Sequence, residues 1–266
     1  MGLDRVGEVW RRLRVDIPFP LITVGGTNGK GSTCAMLESI YLAAGYHVGC
    51  YTSPHILRYN ERVHIDGVEA SDAMLCEAFL AVEQARQDIS LTYFEFGTLA
   101  AVWLFARSDM DLAILEVGLG GRLDAVNIFE PACTIVTSID LDHMDYLGDT
   151  RESIGFEKAG IYRHGVAAIC GDAHPPQTLI DQAHHVGADY RQIRRDFGFK
   201  VTADGWRYEH GNEEALDLPL PALTGDFQLF NAACVIEAVQ VLQPRLPVSL
   251  SQMQIGLQKV ELAGRF

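Results

Sequence analysis

Short apolar runs of strand length alternate along the chain with longer amphipathic stretches. The continuous apolar runs at 111–118 and 132–139 are typical of strands that are buried on both faces of a parallel sheet. The segments 32–45, 71–87 and 94–108 instead carry apolar residues at helical spacing. This alternation predicts an α/β fold with a doubly wound, mostly parallel sheet.

Two segments depart from the parallel pattern. Residues 60–70 resemble a small hairpin that turns at Asp66-Gly67. Residues 199–210 predict a second antiparallel hairpin, which we expect at an edge of the sheet. The first element predicted from the N-terminus is the strand at 21–26, and a proline-punctuated link at 243–252 leads into a final short helix.

Composition and charge narrow the function classes. The 266 residues are 48% hydrophobic and 21% charged, an ordinary globular composition that can bury a core. A net charge of -14 argues against binding to nucleic acid or to an anionic membrane, and no apolar run is long enough to cross a bilayer. Six scattered cysteines without a C-x-x-C pair predict reduced, buried thiols in a cytoplasmic protein.

A glycine-rich segment, ITVGGTNGKGST at 22–33, joins a predicted strand to a predicted helix. Glycines at such a junction let backbone N–H groups approach phosphate oxygens, and Lys30 would add a point charge. The usual loop has a hydroxyl residue directly after the lysine, whereas Gly31 stands here and Ser32 and Thr33 follow. The segment therefore predicts a phosphate-binding loop of altered spacing, with a plain tight turn as the alternative.

Other chemically capable residues also fall at predicted strand ends, where ligands gather in α/β sheets. Ser53, Glu116 and His143 each follow a different strand, and a carboxylate such as Glu116 can hold Mg²⁺. Each residue taken alone also has a structural interpretation, and the spacing of Lys158 favours a solvated helix face. Their convergence favours a nucleotide and metal site at one edge of the sheet.

A resemblance to the folylpolyglutamate synthase/dihydrofolate synthase family, which belongs to the Mur-ligase-like ATP-dependent amide ligases, is carried by motifs throughout the chain. The motifs occur in the family's order and are GTNGKGS, YTSPHI, NERV, LTYFEFGTLAA, EVGLGGRLDAVN, TSIDLDHMDYLG, RESIGFEKAGI and the closing GRF. The resemblance implies a P-loop ATP-binding domain over 1–243, with 244–266 as a linker and the start of a missing C-terminal domain. A fragment of this kind is expected to be poorly active alone.

The resemblance also implies roles for particular residues. ATP contacts are implied for Thr27, Asn28, Gly29, Lys30, Gly31, Ser32, Asn231 and Arg265. Mg²⁺ ligands are implied at Ser32, Ser53, Glu116 and His143. Pterin-substrate contacts are implied at Thr92, Tyr93, Phe94, Glu95, Leu123, Asp124 and Ala125. Catalytic roles are implied for Lys30, His143 and Lys158, and Lys158 matches the lysine that is carbamylated in such ligases.

The implied reaction joins L-glutamate to a pteroate or folate carboxylate through an acyl phosphate formed from ATP. Two Mg²⁺ sites are expected, with a monovalent cation as a further candidate, and the protein is expected to be a monomer. Two alternatives stay open at the level of sequence. A small-molecule kinase would release ADP without depending on glutamate, and a module that only binds nucleotide or folate would form no acyl phosphate.

Overall fold

An eight-stranded sheet forms the centre of the structure, which is a computed structural model. The structure describes residues 2–142, 147–211, 213–225 and 227–262. The candidate site residues His143 and Arg265 lie outside the described residues.

The main sheet is mostly parallel. Its strands, in chain order, are β1 Leu21–Gly25, β2 Val48–Tyr51, β3 Val63–Ile65, β4 Val68–Glu69, β5 Leu112–Glu116, β6 Cys133–Val136, β7 Ala167–Cys170 and β8 Asp189–Gln192. They lie in the spatial order β4-β3-β2-β5-β1-β6-β7-β8. In this spatial order, all neighbouring pairs from β2 through to β8 are parallel. Strand β3 pairs in the antiparallel sense with both β2 and β4.

This order brings the predicted chemistry to one edge. Strand β1 lies between β5 and β6, with β2 on the far side of β5. Because these four strands are parallel, their carboxyl ends open into the same crevice, which is where open α/β sheets bind ligands. The glycine-rich segment, the residues after β2 and the end of β5 therefore meet, as the sequence predicts.

Helices cover both faces of the sheet. They are α1 Asp4–Leu13, α2 Lys30–Ala43, α3 Asp72–Arg86, α4 Tyr93–Arg107, α5 Arg151–Ala159, α6 Gln177–Val186, α7 Gln228–Leu242 and α8 Leu250–Lys259. The buried side chains of α2, α7 and α8 form one hydrophobic cluster on one face of the sheet. On the other face, the buried side chains of α1, α3 and α4 form a second cluster, and those of α5 and α6 form a third beside it. The predicted doubly wound α/β fold is confirmed. Among the described residues, no helix is both long and apolar enough to cross a membrane.

The two predicted hairpins have different positions. The hairpin at β3 and β4 forms an edge of the main sheet, and its turn residues Asp66 and Gly67 adopt φ values of 52° and 76°. Residues 199–210 lie instead in a separate three-stranded sheet of β9 Phe197–Thr202, β10 Gly205–His210 and β11 Leu216–Leu218. This sheet packs on α7, where the rings of Phe199 and Phe230 are 5.1 Å apart and Trp206 is fully buried.

Helix α1 has no counterpart in the sequence interpretation, which places the first element at residue 21. Val6 and Val9 are fully buried against the core of α3 and α4. The helix begins with the acidic Asp4 and ends with basic residues, which suits the helix dipole. The spacing of its apolar residues is the signal that predicts it.

Helix α8 packs closely on α2. A Cβ added at Gly256 would lie 2.5 Å from the Cα atom of Ile40, and the Ser39 hydroxyl donates a hydrogen bond to the Gly256 carbonyl at 2.8 Å. The close approach therefore requires glycine at this position.

We expect Gly256→Ala to lower the free energy of unfolding by about 1–3 kcal/mol, because the added methyl group meets backbone that cannot move aside. Urea unfolding measures the change. Gly7→Ala is the matched control, since a Cβ there meets nothing within 4 Å. Removing a mid-helix glycine without a clash should stabilise the protein by about 0.5–1 kcal/mol. Equal stabilisation by both substitutions would contradict the packing argument.

Candidate active site

The loop after β1 is shaped by two glycines that no other residue can replace without a clash. Gly26 adopts φ +142°, and a Cβ there would lie 1.9 Å from the Thr137 hydroxyl. Gly29 adopts φ +86°, and a Cβ there would lie 2.4 Å from the Asn231 side-chain oxygen. The loop ends where Lys30 begins α2, so the positive end of the helix dipole faces the crevice.

The residues that follow β6 hold this loop in place. The Thr27 N–H donates to the Ser138 carbonyl at 2.7 Å, and the Asn28 N–H donates to the Ser138 hydroxyl at 3.1 Å. The Thr137 hydroxyl donates to the Asn28 carbonyl at 2.6 Å. The loop conformation therefore depends on a neighbouring strand that lies more than a hundred residues away in sequence.

Lys30 turns back over its own loop. Its Nζ donates to the carbonyls of Gly26 at 3.0 Å and Thr27 at 3.1 Å. These bonds hold the ammonium group over the loop, where a phosphate group would be received.

Ser32 belongs to a buried polar network rather than to the surface of the crevice. Its hydroxyl accepts a hydrogen bond from the Gln228 side-chain amide at 3.2 Å, and Gln228 in turn accepts one from Asn231 at 3.0 Å. Thr33 is fully buried. Asn231 lies against the loop at Gly29. Gln228 has no counterpart in the sequence interpretation.

The ends of β2 and β5 meet at Ser53 and Glu116. The Ser53 N–H donates to a carboxylate oxygen of Glu116 at 2.9 Å, and Glu116 is only 1% exposed. One carboxylate and one hydroxyl beside a phosphate loop suit Mg²⁺, which takes one or two carboxylates together with water and phosphate oxygens. Among the residues that the structure describes, no group of three or more His, Cys, Asp or Glu side chains could hold a metal ion.

A cleft of about 780 Å³ opens beside these residues. The predicted site residues that line it are Thr27, Asn28, Gly29, Lys30, Ser53, Thr92, Phe94, Glu95, Glu116, Leu123, Asp124 and Ala125. The predicted residues that do not line it are Gly31, Ser32, Tyr93, Lys158 and Asn231. Most of the predicted phosphate, metal and substrate groups therefore share one cavity.

Asp124 serves the architecture of this cleft. Its carboxylate accepts hydrogen bonds from the N–H groups of Gly118, Leu119 and Val126 at 2.9 to 3.0 Å. Burial raises its pKa to about 6, although these bonds oppose the rise. The carboxylate holds the glycine-rich turn after β5, against which the ring of Phe94 packs at Gly118.

The Glu95 carboxylate, like that of Asp124, already has hydrogen-bond partners within the protein. It accepts a hydrogen bond from the Thr92 N–H at 2.6 Å, while the Thr92 hydroxyl caps α4 in return. Arg5 of α1 lies 3.3 Å from the Glu95 carboxylate and lines the cleft. The sequence interpretation omits Arg5 because it omits α1.

Comparison with known proteins identifies the family. The sequence profile of the Mur ligase middle domain matches residues 24–239. The chain belongs to the Mur ligase family. Among similar proteins of this family, the dihydrofolate synthase/folylpolyglutamate synthase of Escherichia coli K12 is 46% identical over 100% of this chain and 62% of that protein. The Haemophilus influenzae protein of the same name is 45% identical over 100% of this chain and 60% of that protein.

Solved structures agree with this assignment. Escherichia coli FolC in complex with DHPP and ADP superimposes with a TM-score of 0.94 at 47% identity, over 100% of this chain and 63% of that chain. A folylpolyglutamate synthase/dihydrofolate synthase from Yersinia pestis gives a TM-score of 0.93. The chain thus spans less than two thirds of the length of these Mur ligase relatives.

Lys158, the lysine singled out by the family resemblance, is buried in this Mur ligase domain. It is only 4% exposed, so the structure contradicts the solvated helix face that spacing alone favours. It shares a small cavity behind the phosphate loop with Lys30 and Asp142. Burial and the charge of Lys30 lower the pKa of Lys158 to about 7, although Asp142 opposes the shift. A substantial fraction of Lys158 is therefore neutral near pH 7, and the neutral amine is the form that can react with CO₂.

This lowered pKa predicts a pH-dependent stability. The unfolded state binds the Lys158 proton more tightly, so the destabilising effect of burying the charge is largest below about pH 7 and decreases as the pH rises. In CO₂-free buffer, we expect the stability of wild type relative to Lys158→Met to rise by about 1–2 kcal/mol between about pH 7 and about pH 8.5.

Chemical unfolding at several pH values measures the difference. Lys200→Met is the control, because Lys200 is 71% exposed and its stability difference from wild type should stay constant with pH. A constant difference for Lys158→Met as well would show that Lys158 is not titrating near neutrality.

Proposed function

We propose that this chain is the ATP-binding part of an amide ligase that joins L-glutamate to a pteroate or folate carboxylate. The observation that carries the proposal is the single cleft shared by the phosphate loop, the Ser53–Glu116 pair and the wall formed by Phe94 and Leu123. A ligase of this type needs ATP phosphates and an acceptor carboxylate side by side, since phosphate passes from one to the other.

The nucleotide end of the cleft is supported by the loop geometry. The loop between Gly26 and Lys30 packs closely against Thr137 and Asn231, and Lys30 already lies over its carbonyls. We propose that ATP phosphates replace these carbonyls as partners of the ammonium group. Positioning and charge stabilisation of this kind supply most of the catalysis in phosphoryl transfer.

We propose that Glu116 and Ser53 hold Mg²⁺, joined by His143. When bound, the ion would neutralise charge that develops on the transferred phosphoryl group. The Ser32 hydroxyl is hydrogen-bonded to Gln228 and does not line the cleft. We therefore propose that Ser32 shapes the loop, rather than binding the metal directly. The similar Yersinia pestis protein was solved in complex with AMPPNP and Mn, and Escherichia coli FolC was solved in complex with DHPP and ADP.

The acceptor end of the cleft has an apolar wall. Phe94 packs over Gly118, and Leu119, Leu123 and Ala125 continue the surface. A flat aromatic acid such as pteroate fits a wall of this composition.

In the proposed reaction, the carboxylate of this acid attacks the terminal phosphorus of ATP, and ADP leaves. The glutamate amino group then displaces phosphate from the acyl phosphate to form the amide.

Further features of the whole protein are part of the proposal. We propose that residues 1–243 form the ATP-binding domain and that residues 244–266 begin the connection to a second domain. Within this connection, Arg265 is proposed to contact ATP. We further propose a carbamylated Lys158, a monovalent cation site, a monomeric state and a cytoplasmic location. Thr92, Tyr93, Phe94, Glu95, Leu123, Asp124 and Ala125 remain the proposed pterin contacts.

Lys30→Ala tests the nucleotide site. We expect ATP binding to weaken roughly 10- to 100-fold, because a charge-assisted contact to phosphate is lost. Calorimetric titration measures the affinity. The matched control is Lys200→Ala, which removes an exposed lysine of the separate sheet and should leave ATP affinity unchanged. Equal affinities for all three proteins would argue against the loop as a phosphate site.

Glu116→Gln tests the metal site separately. The gain in ATP affinity that Mg²⁺ provides should fall by roughly tenfold or more, because a carboxylate ligand is replaced by a weaker amide. Glu157→Gln is the control, since that cleft carboxylate is paired with Arg122 at 2.8 Å. The same Mg²⁺ dependence in both variants would remove Glu116 from the site.

The reaction class is tested by trapping the acyl phosphate. With ATP, Mg²⁺ and dihydropteroate, we expect hydroxylamine to yield a hydroxamate together with ADP. ADP formation that is independent of dihydropteroate would favour a simple ATPase or kinase. ATP binding without ADP formation would favour a binding module.

A further inference from the structure

Among the residues that the structure describes, four basic side chains line the cleft, and their partners differ. Arg5 lies 3.3 Å from Glu95, and Arg122 lies 2.8 Å from Glu157. Lys30 is bonded to the carbonyls of its own loop. Arg62 also lines the cleft, but it forms no ion pair among the described residues. It is only 8% exposed, so its charge is largely removed from water.

Neighbouring side chains hold the Arg62 guanidinium in a defined orientation. Its Nε donates to His55 Nδ1 at 2.7 Å. Its Cζ atom lies 5.4 Å from the ring centre of Tyr93 and 5.7 Å from that of Tyr59. The Tyr51 side chain also lies beside the guanidinium, and no carboxylate of the described residues pairs with it. The guanidinium is therefore held in a defined orientation at the wall of the cleft, without an anionic partner among the described residues.

A buried guanidinium without an anion is energetically unfavourable. Its proton cannot leave at accessible pH, so the charge persists. Burial raises the pKa of Tyr51 to about 12, against the opposing charge of Arg62, so this neighbouring phenol stays neutral and does not balance the arginine. Aromatic faces offset only part of the lost hydration. An anion that enters the cleft would supply the missing partner.

The position of Arg62 indicates which anion. The Thr52 N–H donates to the Arg62 carbonyl at 2.9 Å, so Arg62 lies one residue from Ser53 and the Glu116 carboxylate. Tyr93, on its other side, begins the helix that also carries Phe94. Phosphate groups have their own loop at Lys30. Arg62 thus stands between the metal end and the aromatic wall, where the carboxylate of an aromatic acid would lie.

We propose that Arg62 is the residue that binds the carboxylate of the acceptor substrate and selects it over neutral analogues. The inference rests on the proposed function, because it assumes that an aromatic acid occupies the cleft. The planar fork can donate two parallel hydrogen bonds to a carboxylate, a geometry that a carboxamide cannot accept in full. Arg62 therefore orients the acceptor beside the metal end of the cleft.

The test compares dihydropteroate with its carboxamide analogue, in which only the acid is changed. Calorimetric titrations are made on the 266-residue chain with ADP and Mg²⁺ present. Wild type should bind the acid roughly 10- to 100-fold more tightly than the amide. In Arg62→Gln this preference should disappear, while amide binding and ATP binding are retained. Arg122→Gln is the matched control, since that cleft arginine has its own carboxylate partner and should leave the preference unchanged.

Arg62→Lys provides a second variant in case the glutamine variant does not fold. It keeps the charge but loses the fork, so the preference for the acid should fall to an intermediate value. An unchanged acid-to-amide ratio in the folded Arg62 variants would overturn the inference while leaving the proposed function intact. L-Glutamate is titrated in parallel, and a loss confined to its binding would overturn the inference as well, because the arginine would then bind the amino acid. Failure of wild type to bind either pterin compound would overturn both.

Discussion

The close approach of Gly26 to Thr137 is the constraint on which the site depends. No side chain fits between them, and the hydroxyl of Thr137 is bonded to the loop carbonyl of Asn28. This contact fastens the turn after β1 to the end of β6. Since β5 lies on the other side of β1, the same turn also faces Glu116 and the glycine-rich segment held by Asp124. This close contact thereby fixes the relative positions of the proposed phosphate, metal and acceptor regions.

The charge balance of the cleft is compatible with the proposed binding of anionic ligands by an acidic protein. The chain carries a net charge of -14, which disfavours anions at long range. Inside the cleft, the lining carboxylates already have partners: Glu95 has Arg5 and the Thr92 N–H, Glu157 has Arg122, Asp124 has backbone N–H groups, and Glu116 has the Ser53 N–H. Lys30 and Arg62 are the cations of the cleft that face it without a carboxylate partner among the described residues. The local field at these two positions is therefore favourable for phosphate and carboxylate.

Burial changes the chemistry of residues that look ordinary in sequence. Lys158 follows Glu157 on a helix, yet only Glu157 reaches the cleft, whereas Lys158 is enclosed behind the phosphate loop. The loss of hydration and the charge of Lys30 bring its pKa to about 7. The structure thus gives a physical basis for a reactive amine at a position where helical spacing alone favours a solvated charge.

The sequence by itself determined the alternation of strands and helices, the family and most residues of the cleft, because periodicity and glycine-rich motifs are local signals. The sheet order, the enclosure of Lys158 and the bonding of Ser32 to Gln228 were decided only by tertiary structure, since each depends on segments far apart in the chain. Helix α1 could have been recognised from its apolar spacing, whereas the position of the hairpin at 199–210 could not. Arg62 shows this division most clearly. Its motif, NERV, is local in sequence, whereas the absence of a carboxylate partner within the described part of the chain follows from the side chains that pack around it.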